Sequence, residues 1–98
     1  MNEKENFKKI FNYFGYENQR RKLNEEVQEL NDAILLYEKG IGNIENVIEE
    51  ISDIKNVLEG FIIKYEITEN KIRKNRQYKV DRTIDRINSG YYGNGKSN

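Results

Sequence analysis

The 98-residue chain contains no histidine, cysteine, proline or tryptophan. Without histidine there is no imidazole base, no Ser-His-Asp triad and no histidine-ligated zinc. Without cysteine there are no disulfides, thiolate metal sites or thiol nucleophile, which fits a reducing compartment. Any metal must therefore be held by oxygen, which favours magnesium or manganese. The lack of proline leaves long helices uninterrupted. No apolar run is long enough to span a bilayer, and residues 1–10 (MNEKENFKKI) lack the apolar stretch of a signal peptide. The expectation is a soluble, cytoplasmic protein with no membrane partner.

Apolar residues are also scarce. They make up 36% of the chain against 35% charged, which allows one domain with a thin core and makes oligomerisation the natural remedy. The net charge of zero conceals a division. Residues 1–70 carry 9 basic and 15 acidic side chains, while residues 71–98 carry 8 basic and 2 acidic. Such a division suits a metal site facing phosphate-binding residues, and equally suits two halves that attract each other.

Helical periodicity runs through the chain, and no strand-like alternation interrupts it. A first helix over residues 3–14 places Phe7, Ile10, Phe11 and Phe14 at helical spacing and ends at Gly15. A second, over residues 17–39, carries Leu23, Val27, Leu30, Ile34 and Tyr37, and closes at Gly40 and Gly42. Asn43 is the expected N-cap of a third, with Ile44, Val47, Ile51, Ile54, Leu58, Phe61 and Tyr65 on one face and Gly60 as a tolerated interruption. Thr68 is the expected N-cap of a fourth, which stops near Ser89-Gly90. The reading is a single all-α domain over residues 1–89, with two long antiparallel helices and shorter helices packed on them. Residues 90–98 form a flexible glycine-rich tail.

Two acidic clusters stand out, EEVQEL (25–30) and EEISD (49–53). Glu26 and Glu29 are three apart, each one residue before an apolar seam position, and Glu50 and Asp53 repeat that geometry before Ile51 and Ile54. If the helices pack antiparallel, the four carboxylates converge at the edge of the interface, where repulsion and lost solvation favour a divalent cation. The alternative is an acidic solvated surface, the class to which Glu25, Asp32 and Glu45 belong. Gln19 and Lys22 extend the stripe of Glu26 and Glu29. On the fourth helix Lys71, Asn75, Lys79, Arg82 and Arg86 share a face that suits a polyphosphate, or a plain solvated basic surface.

The stretches FGYENQRRKLNEEVQEL (14–30) and EEISDI (49–54) resemble the MazG-like all-α nucleoside triphosphate pyrophosphohydrolases. The family signature, E-x-x-E, a spacer and E-x-x-D, reads here as Glu26-Val-Gln-Glu29, twenty intervening residues and Glu50-Ile-Ser-Asp53. The resemblance implies a four-helix MazG-like protomer in a helical-bundle homodimer or homotetramer. It also implies cleavage of a (d)NTP to (d)NMP and pyrophosphate as nucleotide-pool house-cleaning. Glu26, Glu29, Glu50 and Asp53 would ligate Mg2+, with Mn2+ as a substitute. One carboxylate of that set, Glu26 or Glu50 for example, or the adjacent Glu25 or Glu49, would activate water. Gln19, Lys22, Lys71, Asn75, Lys79 and Arg82 would bind substrate. The competing expectation is a non-catalytic helical module that binds nucleotides or a partner protein on the same scaffold. Nucleic-acid binding through the basic fourth helix ranks last, because the acidic remainder of the chain opposes a polyanion.

Overall fold

A computed structural model describes residues 2–93. Three helical elements follow one another: α1 (Glu3–Glu38), α2 (Ile44–Lys64) and α3 (Glu69–Asn88). No strand occurs among the described residues. Each helix begins on a side-chain cap that satisfies one of its unpaired amides. Asn2 accepts from the Glu5 amide at 2.8 Å, Asn43 from the Asn46 amide at 3.0 Å, and Thr68 from the Lys71 amide at 3.2 Å.

Residues 3–14 and 17–39, expected as separate helices, lie within α1 on either side of a break at Gly15, where the first was expected to end, and the second stops at Glu38. The physical reason is that the backbone leaves helical geometry at one residue only: Gly15 has φ 83° and ψ 162°. No intervening loop is needed, because one glycine both stops the first segment and starts the second.

The chain divides into two units, residues 1–66 and residues 67–98. In the first, α1 and α2 form an antiparallel hairpin. Phe11 meets Phe61 edge-on at 5.2 Å between ring centroids, while Glu26 lies beside Glu50. The turn between them closes on Gly40, whose φ is 77°, and on the amides of Ile41 and Gly42, which both donate to the Leu36 carbonyl. The core is small. Phe11 and Val57 are its only buried apolar side chains among the described residues. Gly60 is buried too: a Cβ there would stand 3.4 Å from the Phe11 ring, so this position is a close approach and not merely a tolerated interruption. Much of the expected seam stays open, with Val27, Ile34, Ile51 and Leu58 each more than 40% exposed. Two helices alone cannot enclose a core.

The second unit holds α3. Arg82 lies over the Tyr78 ring at 5.5 Å and Arg86 over Tyr91 at 4.7 Å. Residues 90–93 form a turn closed by the Gly93 amide on the Gly90 carbonyl. The rest of the expected flexible tail, residues 94–98, lies outside the described residues. No helix among the described residues is long and apolar enough to cross a membrane.

Candidate metal centre and adjoining groove

Helical spacing delivers Glu26 and Glu29 from α1 to the same place as Glu50 from the antiparallel α2. One carboxylate oxygen of each lies within 4.8 Å of the others. In an octahedral magnesium shell oxygens stand about 3.0 Å apart when cis and about 4.2 Å when trans, so the three side chains would draw inward to share one ion. Glu26 is 5% exposed, a rare burial for a carboxylate. Its Oε1 accepts from Lys22 Nζ at 3.3 Å. No amide, hydroxyl or ammonium donor reaches its buried Oε2 or the buried Oε2 of Glu50, which leaves a proton shared between the carboxyls, or a cation, to fill that role. Buried carboxylate oxygens that lack donors are costly, and a cation would satisfy both at once.

The electrostatics carry the same tension. Burial and then the neighbouring carboxylates of Glu26 and Glu29 push the Glu50 carboxyl up to about 7. Asp53 is also raised, by burial first and then by Glu26. Burial works to raise Glu26 as well, but hydrogen bonding to the Glu50 carboxyl and to Lys22 outweighs it, so Glu26 ends below the ordinary range. Lys22 is raised by its hydrogen bond to Glu26. The carboxyls of Glu26, Glu50 and Asp53 thus titrate as a coupled set beside the Lys22 ammonium, where a divalent charge would relieve the conflict.

The structure brings together three of the four expected ligands. Asp53 interacts with Glu26 but stands outside the three-oxygen cluster, on the wall of an adjoining groove. Glu25 and Glu49, expected as adjacent carboxylates, are exposed. Lys71, Asn75, Lys79 and Arg82 belong to α3 in the second unit, where Arg82 is half-buried and the other three exposed.

The groove has a volume of about 340 Å³. Phe7, Ile10, Phe14 and Val57 form its apolar wall, with Gln19 and Lys22 from beyond the Gly15 kink. Gln19 is 4% exposed and lines the groove, which brings a buried amide to the space a ligand would occupy. Asn18 and Asn56 also line the groove and were not singled out by sequence reasoning. Asn56 had one available signal, its place three residues after Asp53 on the same helix. Phe7, Ile10 and Phe14 were legible only as a helix seam, because a kink that turns a seam into a wall leaves no periodic trace.

Compared with known proteins, the chain matches no family model, no curated protein and no solved structure. The family resemblance therefore rests on the paired acidic motifs and the helical pattern.

Proposed function

We propose that the protein is a magnesium-dependent nucleoside triphosphate pyrophosphohydrolase of the MazG-like kind, cleaving a (d)NTP to (d)NMP and pyrophosphate. The observation that carries this reading is the convergence of Glu26, Glu29 and Glu50 from two antiparallel helices, with two buried oxygens that no amide, hydroxyl or ammonium donor reaches. These residues fit the metal. Glu26, Glu29 and Glu50 would hold it, with Asp53, outside their cluster, as the fourth proposed ligand. Bound there, magnesium would screen the phosphates and acidify water. The chain's own residues do the rest. Lys22, tied to Glu26 and lining the groove, offers a cation to a phosphate beside the carboxylates. Exposed Glu25 and Glu49, next in sequence to the cluster, are candidates to accept a proton from the attacking water. Gln19 presents its amide to the substrate's polar groups. The proposal extends to Lys71, Asn75, Lys79 and Arg82, whose shared face on α3 carries the donors a triphosphate needs. Residence in the cytoplasm, where nucleotides are held, belongs to the same proposal.

The open seam favours assembly. A second hairpin laid on Val27, Ile34, Ile51 and Leu58 would build the helical bundle that one protomer lacks, as a homodimer or homotetramer. The same exposed seam supports the second reading, a non-catalytic module that binds a partner protein or a nucleotide. Pyrophosphate release from a panel of NTPs and dNTPs with magnesium separates the two. The hydrolase reading expects release by the wild type and a loss of at least a hundredfold in Glu50→Gln. No release from any nucleotide, or full activity in the variant, would sink it.

A further inference from the structure

The kink at Gly15 has a use beyond joining two helices. Its φ of 83° and ψ of 162° lie in a region that essentially only glycine occupies, and residues held there cluster at clamps and switches. Nothing lies within 4 Å of where a Cβ would stand, so packing does not require glycine at this position. The backbone angle does. Across the kink the Asn18 side chain donates to the Phe14 carbonyl at 2.7 Å, occupying an acceptor at the end of the first segment.

The groove straddles this residue. Phe7, Ile10 and Phe14 come from the segment before Gly15, while Asn18, Gln19 and Lys22 come from the segment after it. The first segment has a single anchor: Phe11 is its only buried side chain, set against Phe61 and Gly60. Ile10 and Phe14 are about half exposed at 46% and 51%, so closing over a ligand would bury apolar surface that the open groove leaves in water.

We infer that Gly15 is the hinge of a flap, residues 3–14, which swings about its Phe11 anchor to open and shut the apolar groove beside the carboxylate cluster. The flap covers an apolar, ring-sized part of a ligand whose polar part lies toward Lys22 and Asp53. Its service to catalysis rests on the proposed hydrolase reading; the hinge itself does not.

Hydrogen exchange on the full chain tests the hinge without any ligand. Amides of residues 3–14 should exchange as a separate block, at least tenfold faster than those of residues 19–38. In Gly15→Ala the helical geometry gains roughly fivefold or more over the kinked one, since alanine favours helix and disfavours the positive φ. The two segments should then exchange as one block, and residues 57–61 should lose protection as Phe11 withdraws. A D-alanine at position 15 accepts the positive φ and should restore the wild-type pattern, which separates hinge geometry from simple misfolding. Uniform exchange across residues 3–38 in the wild type, or identical exchange in all three proteins, overturns the inference. Single nucleoside triphosphates with magnesium test the closure. Any nucleotide that is hydrolysed should slow exchange in residues 3–14 by tenfold or more, and hydrolysis without such slowing overturns the flap. If none is hydrolysed, the proposed function fails and the ligand-free comparison alone decides the hinge.

Discussion

The two ends of the α1–α2 hairpin are built on opposite terms. Around Phe11 and Phe61 two rings meet edge-on, a glycine on α2 admits the Phe11 ring, and the Lys64 ammonium lies over it. Around Glu26 and Glu50, roughly fifteen residues along α1, buried oxygens have no donor but a shared carboxyl proton, and one carboxyl holds its proton up to about 7. The first arrangement stabilises the fold. The second opposes it and has a physical rationale only if something charged binds there. Substitutions at the two ends should therefore differ in kind.

The largest expected effect is at the apolar end. Phe11→Ala removes the principal ring from a core that has, among the described residues, only one other buried apolar side chain, and should cost about 3 kcal/mol or more in urea unfolding. A loss near that of an exposed aromatic such as Tyr13 would show that the hairpin is held by something else. Next comes metal binding at the acidic end. Magnesium at about a hundred times its dissociation constant should stabilise the wild type by about 2.7 kcal/mol, and the gain should vanish in Glu26→Gln and Glu29→Gln. Phe11→Ala, if still folded, should keep that gain. A magnesium effect that survives both glutamine variants would break the contrast.

The pH dependence separates the ends further. Glu50 titrates near 7 in the folded chain and near its ordinary 4.5 when unfolded, so between those values the folded state holds a proton that the unfolded state has lost. Stability from this group is complete below about 4.5 and is lost as pH rises through about 7. Asp53, also raised, acts in the same direction, while Glu26, lowered, contributes stability that is lost only as pH falls below about 4.5, outside this window. Metal-free thermal stability should accordingly decline from pH 5 to pH 8, and Glu50→Gln should flatten most of that decline. Magnesium should flatten it too, because the cation replaces the shared proton. A metal-free stability that rises across this window would show that the folded chain does not hold the Glu50 proton.

These contrasts bear on what the chain reveals before it folds. Helical character was legible throughout, because three- and four-residue spacing of apolar residues marks a helix whether or not its face is covered, and the caps at Asn43 and Thr68 were legible because their side-chain chemistry is local. The convergence of Glu26, Glu29 and Glu50 was legible as well, since one antiparallel assumption converts seam register into proximity. The groove was not. It depends on the torsion angles of Gly15, and a glycine between two periodic segments reads equally as a loop or a kink. Nor could periodicity show that Val27 and Ile34 remain open, because a seam looks the same whether a partner covers it or not.

The smallest effect concerns Gly60, and it asks whether the apolar end is as well fitted as its ring contacts suggest. Alanine in place of glycine inside a helix favours folding by roughly 0.8–1 kcal/mol. Its methyl would stand 3.4 Å from the Phe11 ring, at the edge of ordinary contact, so little of that gain should be spent on strain. Gly60→Ala should therefore stabilise the hairpin by about 0.5–1 kcal/mol in urea unfolding. Gly60→Leu should destabilise it, because a branched side chain has to displace the ring. Combining Gly60→Ala with Phe11→Ala isolates the contact from the backbone effect: the propensity gain should remain and any contact penalty should disappear. A single Gly60→Ala variant that loses stability would mean that the Phe11 ring has no room to move, and that the apolar end is packed more tightly than its exposed neighbours imply.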